Sequence, residues 1–307
     1  MANAPVPRRT FLGASVAGLA GAAVAGLPPV VSPPSPEGRG GQGVRTLRER
    51  GDSGQTLRLG VASYSLRNFP RDKAIEMAKA LGTPYVNFKS VHLPFELSPE
   101  QLAAARREIE AAGLVVVGGG VITFDEDSDP GVEKYFAYAK AAGMPLVAIH
   151  TDPKLLPRIE RFAKQYDIKV AIHNHGPEDK HFPSPYDALP HVKQLDARIG
   201  LCIDVGHTVR TGTDVVRAIA DAGSRLLDMH MKDLRDLGAK GSQCIVGEGA
   251  IPIADIFRQL GAMGYRGYVN LEYEIDPDAP LPGMKQSFAY MRGALAGLDA
   301  ARRRPHS

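Results

Sequence analysis

Apolar runs along this chain end repeatedly in polar residues that a buried strand would not by itself require. Val170-Ala-Ile-His-Asn-His-Gly176 is followed by Cys202-Ile-Asp-Val-Gly-His207, Asp228-Met-His-Met-Lys-Asp233 and Val269-Asn-Leu-Glu-Tyr-Glu274. Between and before these runs lie stretches of helical period. A β-rich run over 57–63 leads to an amphipathic segment over 71–81. The run 85–88 leads to a helix that opens on Ser98-Pro99-Glu100, an N-cap followed by proline and an early acid. The run 114–117 continues into Gly118-Gly119-Gly120 and precedes a helix over 131–142, and 145–149 precedes one over 154–166. The fifth run, 168–172, is separated by a Pro-rich loop from a helix over 186–194, and the sixth, 199–203, is followed by 213–222. The seventh, 226–231, is followed by a loop to Ala250 and a helix over 253–263; the eighth, 268–271, by a helix over 284–298. Most of these β runs are continuous in Val, Ile, Leu and Ala, as strands covered on both faces should be.

Alternation of this kind requires parallel strands joined by right-handed crossovers. Eight units within residues 57–300 predict an α/β fold, a single-domain (β/α)8 TIM barrel. A doubly wound open sheet is the structural alternative, but no Gly-x-Gly-x-x-Gly opens the first unit. The flanks read differently. Residues 1–26 carry Arg8-Arg9-Thr10-Phe11-Leu12-Gly13 ahead of a small-residue apolar run, with Ala23-Val24-Ala25 as a cleavage site. That run is too short and too rich in Gly and Ala for a stable membrane span. Its doubled arginine resembles a twin-arginine signal, which implies an exported, periplasmic or extracellular protein that crosses the membrane already folded; an ordinary secretory signal is the other reading. Residues 27–56, rich in Pro and Gly, read as a linker, and 301–307 as a polar tail.

Removing both flanks turns a net charge of +3 into a slight acidic excess, 28 basic against 31 acidic residues over 57–300. No nucleic-acid footprint is expected from such a surface. The two cysteines are too few to hold a scaffold of this length. Cys202 shares strand parity with Asp204 and reads as a small buried hydrophobe; its pairing with Cys244, in a loop, is left open.

His173, Asp204, His230 and Glu272 fall at the C-terminal ends of strands five to eight, the end at which a barrel carries its active site. Two imidazoles and two carboxylates suit one divalent metal ion of the Mn, Zn, Co or Fe type better than Ca or Mg. Lys89 and His150 close the second and fourth strands, Lys232 shares parity with His230, His207 follows Asp204 by three, and Glu248 sits between glycines in the seventh loop. These are candidates for substrate contact or for orienting the ligands. His175 is expected to turn away from His173 and to support the site rather than bind the ion. The triple glycine either lets a ligand approach the backbone or makes a turn.

Asp-Val-Gly-His at the sixth strand, His-Met-Lys-Asp at the seventh, Val-Gly-Glu-Gly before the seventh helix and Leu-Glu at the eighth resemble the xylose isomerase-like sugar isomerase/epimerase barrels, over the whole of residues 57–300. The resemblance implies a divalent metal held by Glu, Asp, His and Glu from strands five to eight, with the two glutamates as the acid/base pair. Asp204, His230 and Glu272 match that pattern; His173 stands where the first glutamate belongs. The implied chemistry is removal of a proton beside a carbonyl, the enediolate being stabilised by the ion. Glu272 is the expected base, with Lys89, His150 and Lys232 as its partners. An isomerase or epimerase acting on a small unphosphorylated sugar or keto-sugar is therefore expected, Glu248 occupying a region where many barrels bind phosphate. With one metal carboxylate instead of two, a 3-keto-glycoside lyase or hydratase, which needs one base and an acid, is the alternative. A metal-dependent sugar-binding protein without turnover is a third reading. The resemblance also extends to apurinic-site endonucleases, which the acidic core and the one-ion ligand count argue against.

Overall fold

The computed structural model describes residues 57–303, with side chains to 301, so the expected signal over 1–26, the expected linker over 27–56 and the end of the expected polar tail lie outside the described residues. Chain order gives β1 (Arg58–Ala62), α1 (Arg71–Ala80), β2 (Tyr85–Phe88), α2 (Pro99–Ala111), β3 (Val115–Phe124), α3 (Asp129–Ala142), β4 (Leu146–Thr151) and α4 (Leu156–Tyr166). The second half runs β5 (Lys169–His173), α5 (Pro185–Val192), β6 (Ile199–Asp204), α6 (Val205–Arg210), α7 (Val215–Ala222) and β7 (Leu226–Met231). It continues with β8 (Asp233–Leu234), β9 (Gln243–Cys244), α8 (Ile253–Ala262), β10 (Tyr268–Leu271) and α9 (Leu281–Arg303). Eight strands close into a parallel barrel in the order β1-β10-β7-β6-β5-β4-β3-β2, while β8 and β9 form a separate antiparallel ribbon. The expected (β/α)8 barrel is therefore the observed one.

Side-chain size follows strand parity. Val147 and Ile149, Val170 and Ile172, Leu201 and Ile203, and Met229 and Met231 are buried in the large core formed with the helices. The apolar residues on the barrel lumen cluster separately and are mostly small, Ala148, Ala171 and Cys202 together with Leu146. Each large outward side chain contributes about 1.5–3 kcal/mol by burial, so the outer layer holds the barrel shut while the lumen is free to carry polar groups. Helix starts are fixed locally: Ser98 and Gln101 form a reciprocal capping box, and Ser128 and Asp214 cap α3 and α7.

Two local expectations change. Gly118-Gly119-Gly120 does not form a turn; it lies inside β3, which runs to Phe124 and shifts register against β4 between Gly119 and Ile122. A Cβ at Gly119 would stand 2.2 Å from the Met144 sulfur, and one at Gly120, whose φ is +110°, 2.2 Å from the Ala148 carbonyl. The glycines are thus demanded by the close approach of β4. Cys244 is in β9 rather than in an open loop; both cysteines are free, and Cys202 lines the lumen as its parity requires.

The loop after β7 is built on Asp233. Its Oδ1 accepts from the amides of Leu234 and Ile251 (2.9 and 3.1 Å), and its Oδ2 from those of Gly247 and Gly249 (2.9 and 3.0 Å). Gly247 has φ +101°, and a Cβ on Gly249 would meet Asp233 Oδ1 at 2.2 Å. The two motifs His-Met-Lys-Asp and Val-Gly-Glu-Gly are therefore halves of one anchored loop. Asp233→Ala would strand several buried amides at about 1–3 kcal/mol each, so a loss of at least about 3 kcal/mol in urea unfolding is expected. A loss below about 1 kcal/mol would mean that the loop is held by other contacts.

Candidate metal centre and active site

Strand register places the four proposed ligands on neighbouring strands, with Asp204 and His230 directly paired and His173 and Glu272 each offset by two residues. His173 pairs with Cys202 across β5 and β6, Asp204 with His230 across β6 and β7, and Asn270, two residues before Glu272, with His230 across β7 and β10. The Asn of His-Asn-His locks this arrangement. Asn174 Oδ1 accepts from the Asp204 amide (3.0 Å) and Nδ2 donates to Thr208 Oγ1 (3.0 Å), tying the end of β5 to the β6–α6 junction. Asp204 caps α6, its Oδ1 accepting from the His207 amide at 2.8 Å, which leaves Oδ2 facing the lumen.

His173 Nε2 lies 3.0 Å from His230 Nδ1 and 3.7 Å from Asp204 Oδ2, and His230 Nδ1 lies 3.3 Å from Glu272 Oε2. Donor atoms on a tetrahedral ion with arms near 2.1 Å stand roughly 3.4 Å apart, so these are separations that a single ion can span. Asp204 Oδ2 is enclosed and accepts no hydrogen bond, and the second ring nitrogens of both histidines, His173 Nδ1 and His230 Nε2, are also enclosed and unbonded. All four side chains belong to one cluster of possible ligand atoms. The residues present fit a divalent ion.

Lys232 shares this cluster. Its Nζ donates to Glu272 Oε2 (3.0 Å) and Glu274 Oε1 (2.6 Å) and stands 3.0 Å from Asp204 Oδ2, there as a charge contact without hydrogen-bond alignment. Burial works against its charge, but Asp204, Glu272 and Glu274 outweigh burial and hold it protonated well above the ordinary lysine range. Burial likewise opposes ionisation of Glu272, and His230 and Lys232 overcome it, so Glu272 stays ionised well below the usual carboxylate range. His173 is pushed well below the usual imidazole range by burial, helped by His175 and His230, and is neutral at physiological pH. His230 goes the other way: burial opposes its charge, but Cys202 and Glu272 raise it. Burial holds the Cys202 thiol up at about 12, so at neutral pH Glu272 is the partner that matters.

The remaining candidates fall in different places. Burial lowers Lys89, with Glu272 and Glu274 opposing, which puts a weakened ammonium on the same side as the proposed base; its Nζ sits 4.9 Å above the Tyr64 ring. His207 and the nearly buried Arg210 (5% exposed) line a cavity of about 200 Å³ together with Gly206, Lys232, Gln243 and Glu274, which opens directly beside the cluster. A larger hollow of about 630 Å³ lies at the opposite end of the barrel, lined by Arg58, Asp228 and Tyr268; none of the four proposed ligands lines either cavity, and the smaller one meets the cluster through Lys232. Glu248 is exposed and accepts from Arg235 at 2.7 Å. His150 Nε2 meets Asp179 Oδ1 at 3.3 Å. His175 does not turn away from His173: their ring centroids are 4.4 Å apart, because residues two apart share a face.

Sequence reasoning passed over several polar groups of the lumen. Asp228 accepts from Asn87 (3.2 Å) and Asn270 (2.8 Å), and burial pushes its carboxyl up to about 6. Each stands two residues before a candidate already singled out, His230, Lys89 and Glu272, so extending the period-two rule down each strand finds them, and Glu274 with them. Asp179, in an irregular loop, obeys no period and left no such signal.

The family described as Xylose isomerase-like TIM barrel matches residues 75–294. The rhizopine catabolism protein MocC of Rhizobium meliloti is 28% identical over 144 residues, 42% of this chain and 43% of that protein. Inosose dehydratase of Lacticaseibacillus casei is 25% identical over 167 residues, 50% and 54% of the two chains. This chain thus spans about half the length of the curated relatives it matches. Among solved structures, the D-psicose 3-epimerase of Clostridium cellulolyticum H10 superposes with a TM-score of 0.64 at 16% identity, over 78% of this chain and 99% of that one. An L-ribulose 3-epimerase gives 0.65 at 18%, over 81% and 100%. At these identities the structural likeness is one of fold.

Proposed function

The chain belongs to the xylose isomerase-like TIM barrel family, and from that premise we propose that it is an isomerase- or epimerase-type enzyme that removes a proton beside the carbonyl of an unphosphorylated sugar or keto-sugar. The observation that carries this reading is the enclosed set His173, Asp204, His230 and Glu272, whose donor atoms face one another beside a small cavity into which His207, Arg210, Lys232 and Glu274 project. A divalent ion held by these four residues would supply Lewis-acid polarisation of a carbonyl and its neighbouring hydroxyl. Glu272, kept ionised by its cationic neighbours, takes the proton. Lys89, whose ammonium burial has weakened, is the better donor for returning one. Lys232 remains charged and stabilises developing negative charge without giving up its proton.

Absence of a phosphate from the substrate is supported by the loop after β7. Its amides at Gly247, Gly249 and Ile251 already converge on the Asp233 carboxylate, which fills the anion cradle that such a loop could offer a phosphate. A second reading, dehydration or elimination on a keto-sugar, is favoured by His173 itself: the cluster has one carboxylate free to act as base on the substrate, as Asp204 is committed to capping α6. The named activity of the curated relatives in L. casei is in keeping with it.

Incubation of metal-loaded enzyme with free ketoses, aldoses and 3-keto-glucosides in deuterated water tests both. Label at one carbon with inverted configuration is expected for epimerisation, label with a moved carbonyl for isomerisation, and loss of a substituent for elimination. Binding of sugars with no label in any of them would leave a sugar-binding protein and defeat the enzyme reading. His230→Ala and Asp204→Ala are each expected to lose the ion by elemental analysis, and unchanged metal content in both would remove the centre. We further propose export through the doubled arginine of the N-terminal segment. Replacing Arg8 and Arg9 together by Lys should retain the protein in the cytoplasm, and undiminished export would refute that route.

A further inference from the structure

A second group of ligand-type side chains faces the same barrel mouth, separate from the four residues above. His150 ends β4, His175 follows β5, and Asp179 lies in the loop that leads to α5. Their nearest donor atoms all lie within 4.8 Å of one another. His150 Nε2 is 3.3 Å from Asp179 Oδ1, and His175 Nδ1 is 3.3 Å from Asp179 Oδ2. The two imidazoles stand perpendicular, centroids 5.2 Å apart, each offering one nitrogen to the same carboxylate.

Hydrogen bonding accounts for only half of this arrangement. Asp179 Oδ1 accepts from the amides of His181 (2.8 Å) and Phe182 (3.2 Å), which fixes the loop and aims the carboxylate. The Asp179 side chain is 1% exposed, yet its Oδ2 has no hydrogen-bond partner, and neither has the enclosed His175 Nδ1 that stands beside it. A nitrogen and an oxygen at 3.3 Å that are misaligned for a bond to each other, and that have no other partner, leave two costly orphans unless a third atom meets both. Two imidazoles and one carboxylate form a donor set that transition ions of the zinc type accept, with at least one position left for water. Solvent has access, since the His150 and His175 side chains are about one-third exposed.

We propose that His150, His175 and Asp179 form a second divalent transition-metal site, which clamps the loop after β5 to the end of β4. The site adjoins the first through the His173 and His175 rings, so the substrate cavity is flanked by two cationic centres rather than one. This goes beyond the one-ion centre of the proposed reaction and does not depend on what that reaction is.

The test is metal stoichiometry on the full chain. Protein stripped with a chelator, exposed to Zn²⁺ and desalted should retain two equivalents by elemental analysis. His150→Ala should retain one, His230→Ala one, and the double variant none. Asp179→Asn should also retain one; because Asp179 orders two loop amides, His150→Ala, which removes a strand-end side chain that anchors no backbone, is the variant on which the conclusion rests. With Co²⁺ in place of Zn²⁺, the visible absorption gained on adding the second equivalent should vanish in His150→Ala while its circular dichroism stays that of the parent. A parent that holds a single equivalent removed by His230→Ala, or a His150→Ala protein that still holds two, overturns the proposal. A single equivalent removed by His150→Ala but not by His230→Ala would uphold this site and sink the first one, so the two failures are distinguishable.

Discussion

Glu272→Gln is expected to cut turnover by about 10²- to 10⁴-fold, the range over which a positioned general base acts, and to abolish exchange of substrate hydrogen with solvent. The substitution keeps size and one oxygen but removes the charge that His230 and Lys232 hold in place at 3.3 and 3.0 Å. Two consequences separate it from a mere loss of the ion. Metal content should fall less than in His230→Ala, because an amide oxygen still ligates weakly. Substrate loss and isotope exchange should fall together, since both need the same proton to leave. Exchange that persists at the parent rate with turnover lost would assign the base to another group, Lys89 foremost. Full activity in Glu272→Gln would remove the carboxylate from the chemistry altogether.

The barrel and four of its lumen-facing polar ends were legible because strands buried on both faces leave a simple trace: continuous apolar runs, each closed by a residue with no packing reason to be there. Asp204, His230 and Glu272 could be placed by that trace and by motif. What escaped has physical causes. The six-residue helix α6 follows Asp204 without any break, and its cap is the proposed ligand itself, so the strand-end reading hid the N-cap signal that this aspartate carries. The triple glycine carries a local signal for a turn, and only the packing of Met144 and the Ala148 carbonyl shows that it serves a strand. Glu248 attracted attention as the acid between two glycines, whereas the residue that organises that loop is Asp233, fourteen residues or more away from the amides of Gly247 and Gly249. Asp179 reaches His150 across 29 positions of sequence, a pairing that loop geometry decides and periodicity does not.

Lys232→Met should expose how the charges of the centre are balanced. Asp204, Glu272 and Glu274 converge on one ammonium, and the lysine side chain is 4% exposed. Removing one member of a buried ion pair leaves uncompensated charge, typically at a cost of about 3–5 kcal/mol. The stripped Lys232→Met protein is therefore expected to unfold in urea with a loss of that order relative to the stripped parent. A divalent ion bound by Asp204 and Glu272 restores positive charge at the same two oxygens. Saturating metal at about 100 times its dissociation constant adds about 2.7 kcal/mol to any protein that binds it only when folded. In the variant the ion also meets carboxylates freed of a competing ammonium, so its affinity should rise and the rescue should exceed that seen in the parent. If the variant gains no more from metal than the parent does, the ammonium and the ion do not share these oxygens, and Lys232 belongs to the substrate cavity rather than to the ligand set. If the stripped variant is as stable as the stripped parent, one of the three carboxylates takes up a proton when the lysine is gone. A stability difference that then grows as pH rises, while the parent stays level, would identify that response.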